Sequence, residues 1–261
     1  MAERYDGKVV QITGAASGFG ALAAQRFAHE GARLALSDVN AEALAETADN
    51  LRAAGAEVWE APLDVSDASA VAAHLAEIGA QFGRLDVAIN NAGVGHDMAP
   101  LHRLDEAEFD RMMAVNARGV FLGMKHQLPL MLANGGGAIL NVASAAGLVG
   151  AGYLSAYAAS KHAVVGLTRA AADEVARKGI RVNALCPSFA STPLFDEMAD
   201  QVAARHGASR DEAYTRIAAR VPMGRVARPE EVVQAMLWIC DAENSFMTGQ
   251  AISIDGGLTA V

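Results

Sequence analysis

Short apolar runs at Val9 to Ile12, Arg33 to Ser37, Glu57 to Ala61, Val87 to Asn90, Ala138 to Val142, Arg181 to Cys186 and Ala251 to Ile254 alternate with helical patterns along the whole chain. The helical spacing covers Gly18 to Glu30, Ala41 to Ala54, Ala68 to Phe82, Asp105 to Leu132, Tyr153 to Lys178 and Pro229 to Trp238. Several of the short runs are apolar on both faces, as strands are when helices cover both faces of a parallel sheet. The alternation predicts an α/β fold, a doubly wound, seven-stranded parallel sheet with right-handed crossovers. Helix starts are marked by Asp38-Val39-Asn40, by Asp67 and by Arg228-Pro229-Glu230-Glu231. No repeat or linker divides the chain, so residues 1–261 read as a single domain. One segment, 188–228, breaks the rhythm and carries its own amphipathic pieces around Leu194, Phe195, Met198 and Val202. An insertion at a strand's C-terminal end is where a substrate lid sits; an extra surface helix pair is the alternative.

Composition narrows the function. Hydrophobic residues make up 52% of the 261 and charged residues 20%, enough for a core and too apolar for disorder. The net charge of -9 argues against nucleic acid or an anionic membrane as partner. It leaves a phosphate-bearing cofactor open, because helix-start N–H groups hold phosphate without net positive charge. Cys186 and Cys240 lie far apart in apolar stretches, which points to free thiols in a reducing compartment. The histidines form no HExxH pattern and have no cysteine partners, so no metal site is expected. The polar start, Met1 to Asp6, resembles no signal peptide, and no apolar stretch approaches a membrane span. A cytoplasmic protein is expected.

The first apolar run ends in Thr13-Gly14-Ala15-Ala16-Ser17-Gly18-Phe19-Gly20 and leads directly into a helix. Glycines there let a ligand approach the backbone, and the helix start directs N–H groups at a pyrophosphate. The spacing is G-x-x-x-G-x-G rather than G-x-G-x-x-G, and a purely structural turn would use glycines too. The order strand, glycine turn, helix, strand, acid favours dinucleotide binding. That acid is Asp38, placed to accept hydrogen bonds from the adenosine ribose and to repel the extra phosphate of NADP. NAD is the expected cofactor, although Asp38 could also cap the next helix.

Tyr157 and Lys161 are four residues apart in a helical stretch, with Cβ atoms about 5–6 Å apart on one face. A neighbouring ammonium favours phenolate, which is expected to lower the tyrosine pKa toward neutrality and suit it to proton exchange with an alcohol or carbonyl oxygen. A surface helix carrying one aromatic and one cation would show the same spacing. Ser144 stands just beyond the run Ala138 to Val142, where a hydroxyl can polarise the reacting oxygen; alone it would pass for a turn residue.

Taken together, Thr13 to Gly20, Asn90-Asn91-Ala92-Gly93, Ser144, Tyr157-x-x-x-Lys161 and Pro187-Ser188-Phe189-x-x-Thr192 resemble a classical short-chain dehydrogenase/reductase, with matches from Lys8 to Gly257. The resemblance implies a Rossmann-type domain. It makes Tyr157 the general acid/base, with Ser144 orienting the substrate oxygen. Lys161 would tune the tyrosine and, beside it, hold the nicotinamide ribose, and Asn116 would support a water-linked proton relay. The implied cofactor contacts are Gly14, Ser17, Gly18, Phe19, Gly20, Asp38, Asp64, Val65, Asn91, Gly93, Pro187 and Thr192. Two positions depart from the family pattern. Phe19 replaces the usual isoleucine at a position used mainly for its backbone, and Ser188 replaces a glycine, where its side chain is expected to narrow the pocket.

The implied reaction is reversible hydride transfer between NAD and a small-molecule secondary alcohol or ketone. Expected pocket residues are His96, Ala146, Leu154, Ser188, Phe189 and Phe195, mostly apolar, which suits a compact hydrophobic substrate, cyclic or aryl-bearing. His96 is placed to hydrogen-bond a second polar group, though a loop histidine is commonly just solvated. A 3-oxoacyl-thioester reductase and a sugar dehydrogenase are neighbouring alternatives, and a non-catalytic NAD-binding sensor or scaffold is one from another class. Small residues along Tyr153 to Lys178 and the family's habit predict a homotetramer; the alternative is a small-residue face packed on its own sheet.

Overall fold

The computed structural model describes residues 4–261; the start of the polar amino-terminal stretch read above lies outside the described residues. The strands are β1 (Val9–Thr13), β2 (Arg33–Asp38), β3 (Val58–Pro62), β4 (Val87–Asn90), β5 (Gly137–Val142), β6 (Ile180–Pro187) and β7 (Ala251–Ile254). They form one seven-stranded sheet in the order β3-β2-β1-β4-β5-β6-β7, parallel throughout. The winding reverses between β1 and β4, which opens a crevice at the carboxyl ends of those strands.

The helices are α1 (Gly18–His29), α2 (Ala41–Ala53), α3 (Ala68–Phe82), α4 (Glu106–Met112), α5 (Gly119–Ala133), α6 (Ser155–Val175), α7 (Pro193–His206), α8 (Arg210–Ala218) and α9 (Pro229–Cys240). Consecutive strand residues point to opposite faces, so Val10 joins Phe27 of α1, Leu44 of α2 and Met236 of α9 in one core. Val9 joins Ile78 of α3, Val120 of α5 and Val164 of α6 in the other. This two-sided burial is why the strands read as largely apolar on both faces. Among the described residues, no helix is long and apolar enough to cross a membrane.

The structure refines the reading in three places. The cap of α2 is Asn40, whose Oδ1 accepts from Ala43 N at 3.2 Å, leaving Asp38 to other partners. The expected helix from Asp105 to Leu132 is divided, because a π turn at Met113–Arg118 separates α4 from α5. The helical pattern read from the sequence gives no sign of this one-residue insertion; π turns recur at functional sites. The segment 188–228 contains α7 and α8, tied back by a bridge between Ala190 and Ala227.

Candidate active site

The glycine turn after β1 is a cradle that side chains would fill. A Cβ on Gly20 would lie 1.9 Å from the Gly14 carbonyl oxygen. Gly14 has φ +67, and its Cβ would fall 2.9 Å from both Ala92 Cα and Asn91 Nδ2. Asn91 Nδ2 holds the turn from the β4 side, donating to the carbonyls of Thr13 (3.0 Å) and Gly14 (3.1 Å). Ser17 stands at the N-cap of α1 without a side-chain capping bond, and the first turn contains no acid. The opening N–H groups of Gly18, Phe19 and Gly20 thus form a helix start suited to an anion. Asp38 closes the far side, accepting from Ala16 N at 3.0 Å and Asn40 N at 2.9 Å. A carboxylate has acceptor capacity beyond two such bonds, so a ribose diol can still be held there.

The remaining expected cofactor contacts gather along the same edge. Beyond β3, the Asp64 carboxylate accepts from the backbone and hydroxyl of Ser66, and Val65 packs where a Cβ on Gly119 would lie 2.8 Å from its Cγ2. Pro187 ends β6. Thr192 caps α7 and sits over the glycine turn, its Cβ 3.9 Å from the place of a Gly18 Cβ. Open glycine backbone, an uncapped helix start and a carboxylate one strand away fit a dinucleotide.

The expected catalytic side chains meet at the ends of β4 and β5 and the start of α6. A Cβ on Gly93 would lie 3.2 Å from Asn116 Oδ1 and 3.3 Å from Lys161 Nζ, so these groups converge at one point. Asn116 lies in the π turn and spans the gap to β4, accepting from Val94 N (2.8 Å) and donating to Val94 O (3.0 Å) and Ser160 Oγ (3.1 Å). Lys161 Nζ donates to the Val142 carbonyl at 2.9 Å and lies 5.7 Å from the centre of the Tyr157 ring. Ser144 caps the short turn Ala145–Gly147, accepts from Ala146 N at 3.1 Å, and places its hydroxyl beside the phenol of Tyr157.

Protonation differs from the simple expectation. Burial raises the Tyr157 pKa above its ordinary 10, and the Ser144 hydroxyl offsets only part of that rise. The same burial lowers Lys161 to about 8. The ammonium therefore does not pull the phenol toward neutrality here. It points to a carbonyl, and low-polarity surroundings penalise both charged forms.

The expected pocket residues divide. Ala146 is buried, Leu154 is half-buried at the start of α6, and His96 is buried rather than solvated. Its Nδ1 lies 2.8 Å from the Asp97 carbonyl, which can only accept, so Nδ1 carries the proton. Phe195 does not face the cleft. It packs in a small core with Ala199, Ala203, Ala213 and Ile217, against which Phe189 also packs. The hydroxyl of Ser188 turns toward the C-terminal segment and donates to the Asp255 carbonyl at 3.1 Å. Amphipathic spacing identified an inward face on α7 correctly, but α8 covers that face rather than a ligand.

Sequence reasoning also passed over a polar seam beneath the site. Asn90 Nδ2 donates to Asn141 Oδ1 (2.8 Å) and Gln127 Oε1 (3.1 Å), Gln127 Nε2 donates to Gln11 Oε1 (3.0 Å), and Asn141 Nδ2 donates to Thr168 Oγ1 (2.9 Å). This seam ties β1, β4 and β5 to α5 and α6, fixing the helix that bears Tyr157 against the strand end that bears Ser144. The available signal was amides inside apolar strand runs, at Gln11, Asn90 and Asn141.

With this sheet, cradle and side-chain cluster, the chain belongs to the short-chain dehydrogenase/reductase family, a family of nicotinamide-dependent oxidoreductases. Residues 14–259 match the family model described as enoyl-(acyl carrier protein) reductase. The chain is 42% identical over 261 residues to the cis-4-hydroxycyclohexanecarboxylate dehydrogenase of Sinomonas cyclohexanicum, covering 100% of both. The crystal structure of levodione reductase superposes with a TM-score of 0.94 at 36% identity, over 98% of this chain and 99% of that one. An actinorhodin polyketide ketoreductase solved with NADPH superposes with a TM-score of 0.93 at 35% identity, over 100% of each.

Proposed function

We propose that the protein is an NAD-dependent dehydrogenase that interconverts a compact, largely hydrophobic cyclic secondary alcohol and its ketone. The observation that carries this reading is the convergence of Ser144, Tyr157, Lys161 and Asn116 beside a glycine cradle whose far side ends in Asp38. Asp38 supports NAD over NADP: it places a carboxylate where an added phosphate would go, and its neighbours Ser37 and Val39 carry no positive charge. The relative acting on a hydroxycyclohexane frame supports a cyclic substrate, and Ala146, Leu154 and Leu194 supply apolar surface around the cluster.

When bound, the nicotinamide accepts or donates the hydride. The protein's own groups handle the proton and the oxygen. Ser144 Oγ donates a hydrogen bond to the reacting oxygen and polarises it. The Tyr157 phenol, kept protonated at neutral pH by burial, gives its proton to that oxygen as ketone becomes alcohol. In the reverse direction the phenolate takes the alcohol proton, so oxidation accelerates as pH rises. Lys161 and Asn116 hold the floor of the site and, through the Gly93 gap, the ribose side of the cofactor. Phe109 and Phe121 on α4 and α5, and Trp238 and Phe246 on and after α9, are exposed apolar side chains, which supports association into a homotetramer.

The experiment is reduced-nicotinamide absorbance with NAD or NADP and a panel of cyclic and open-chain alcohols. Wild type should turn over cyclic alcohols with NAD. Tyr157→Phe should lose about 1,000-fold or more in kcat, consistent with removal of a general acid/base, while binding NADH normally. Comparable activity in Tyr157→Phe would refute the assignment. A second reading, reduction of a 3-oxoacyl thioester, is favoured by the 38% identity over 255 residues to the 3-oxoacyl-(acyl-carrier-protein) reductase of Thermotoga maritima; turnover of such a thioester with NADPH, and not of alcohols with NAD, would establish it instead.

A further inference from the structure

Helix α7 presents two stripes. Phe195, Ala199 and Ala203 recur at intervals of four and pack toward α8. Leu194, Gln201 and Arg205, separated by seven and then four residues, fall on another face, and that face meets the loop after β4. A Cβ on Gly95 would lie 3.2 Å from Leu194 Cδ1. Gln201 Oε1 accepts from Met98 N at 2.9 Å, and its Nε2 donates to Asp97 Oδ1 at 2.9 Å. The Arg205 guanidinium lies over the Tyr153 ring, 4.4 Å from its centre.

The loop so gripped is itself tied to the catalytic cluster at both ends. Val94 is held by the side-chain amide of Asn116. Ala99 N donates to the Tyr153 carbonyl at 3.1 Å, one turn before Tyr157. Tyr153 is the only non-glycine residue among those described with positive φ, at 67, a conformation that persists where the surroundings enforce it. Residues 94–99 are thus fixed at both ends by the site, so α7 docks on a loop that does not itself move.

The Gln201 carboxamide satisfies both of its partners at once. A backbone N–H requires an acceptor and a carboxylate requires a donor; glutamate meets the first and repels the second, while lysine does the reverse. We propose that Gln201 is a positioning residue that latches α7 onto Asp97 and Met98 and thereby holds the lid closed over the substrate. It touches no reacting atom, so it governs substrate retention rather than the chemical step. The kinetic consequence rests on the dehydrogenase reading above, whereas the structural one does not.

The test is a charge exchange. Gln201→Glu sets two carboxylates against each other, and adding Asp97→Asn restores one donor and one acceptor facing Met98 N and each other. Hydrogen–deuterium exchange of residues 193–206 in the apo protein should be about tenfold faster in Gln201→Glu and return to within about threefold of wild type in the double variant. In turnover, the single variant should raise KM for the alcohol about tenfold with kcat and NADH affinity within about threefold, and the double variant should reverse the KM change. Unchanged exchange in Gln201→Glu, or a double variant exchanging as fast as the single one, would overturn the latch. If Gln201→Glu fails to fold, Gln201→Leu is read for the same faster exchange, and exchange at the wild-type rate there overturns the latch equally. Absence of turnover in wild type with every alcohol would count against the dehydrogenase reading alone, because the exchange result is independent of it.

Discussion

Lys161 is 4% exposed, and Val142 O is its one hydrogen-bond acceptor among the described residues. Its ammonium therefore destabilises the fold at neutral pH. The lowering from 10.5 to about 8 corresponds to about 3 kcal/mol, at about 1.4 kcal/mol per tenfold change. Between those values the unfolded chain binds more protons than the folded one, so stability rises with pH through that window and the penalty is complete below about 8. Lys161→Met keeps the length of the stem and removes the charge, but leaves the Val142 carbonyl without its donor, a loss of about 1–2 kcal/mol. The net expectation at pH 7 is a gain of about 1–2 kcal/mol, or roughly 2–8 °C in Tm for a chain of this size, in a variant that no longer turns over. Thermal melts of apo wild type and variant from pH 7 to 10 provide the assay. The gap should close and then reverse toward pH 10, because only wild type gains stability there, by most of the roughly 3 kcal/mol. A variant that melts below wild type at pH 7, or a gap that does not change with pH, would refute the assignment of a strained buried ammonium.

The cofactor cradle gives further predictions. Gly20→Ala places a methyl group 1.9 Å from a backbone oxygen that has no room to withdraw, so NADH affinity, followed by fluorescence titration, should fall by about 100-fold or more, equivalent to about 3 kcal/mol; affinity within about threefold of wild type would show that the turn is not the binding loop. Asp38→Ala removes the acceptor for Ala16 N and Asn40 N and the charge that repels a 2′-phosphate. The NAD-to-NADP preference in kcat/KM should drop by about tenfold or more, and an unchanged ratio would place the discrimination elsewhere.

Sequence and structure agree most closely where interactions are local. Val9 to Ile12, Ala138 to Val142 and their counterparts were legible as strands because burial on both faces leaves them largely apolar, with single amides such as Gln11 and Asn141. The glycine turn was legible because its residues are contiguous, and Tyr157 with Lys161 because one helical turn fixes their relation. Asn116 was reachable only through family resemblance, since by spacing alone it passes for an ordinary polar residue in a long helix. The same holds in part for α7: its amphipathic pattern showed that Phe195 faces inward but not which neighbour it would meet.

What the sequence alone made legible is the alternating, doubly wound architecture, the glycine-rich turn after the first strand and the pairing of Tyr157 with Lys161 on one helix face, all matters of residue type at short spacing. Tertiary structure decided that Phe195 packs on α8 instead of a substrate, that the Ser188 hydroxyl faces the C-terminal turn, and that Gln201 meets Asp97 from 104 residues away. It also set the burial that pushes the Tyr157 pKa up and the Lys161 pKa down. The physical reason is common to these cases: periodicity specifies which side chains share a face, whereas the partner of that face, and the polarity felt by a charge behind it, depend on segments that only folding brings together.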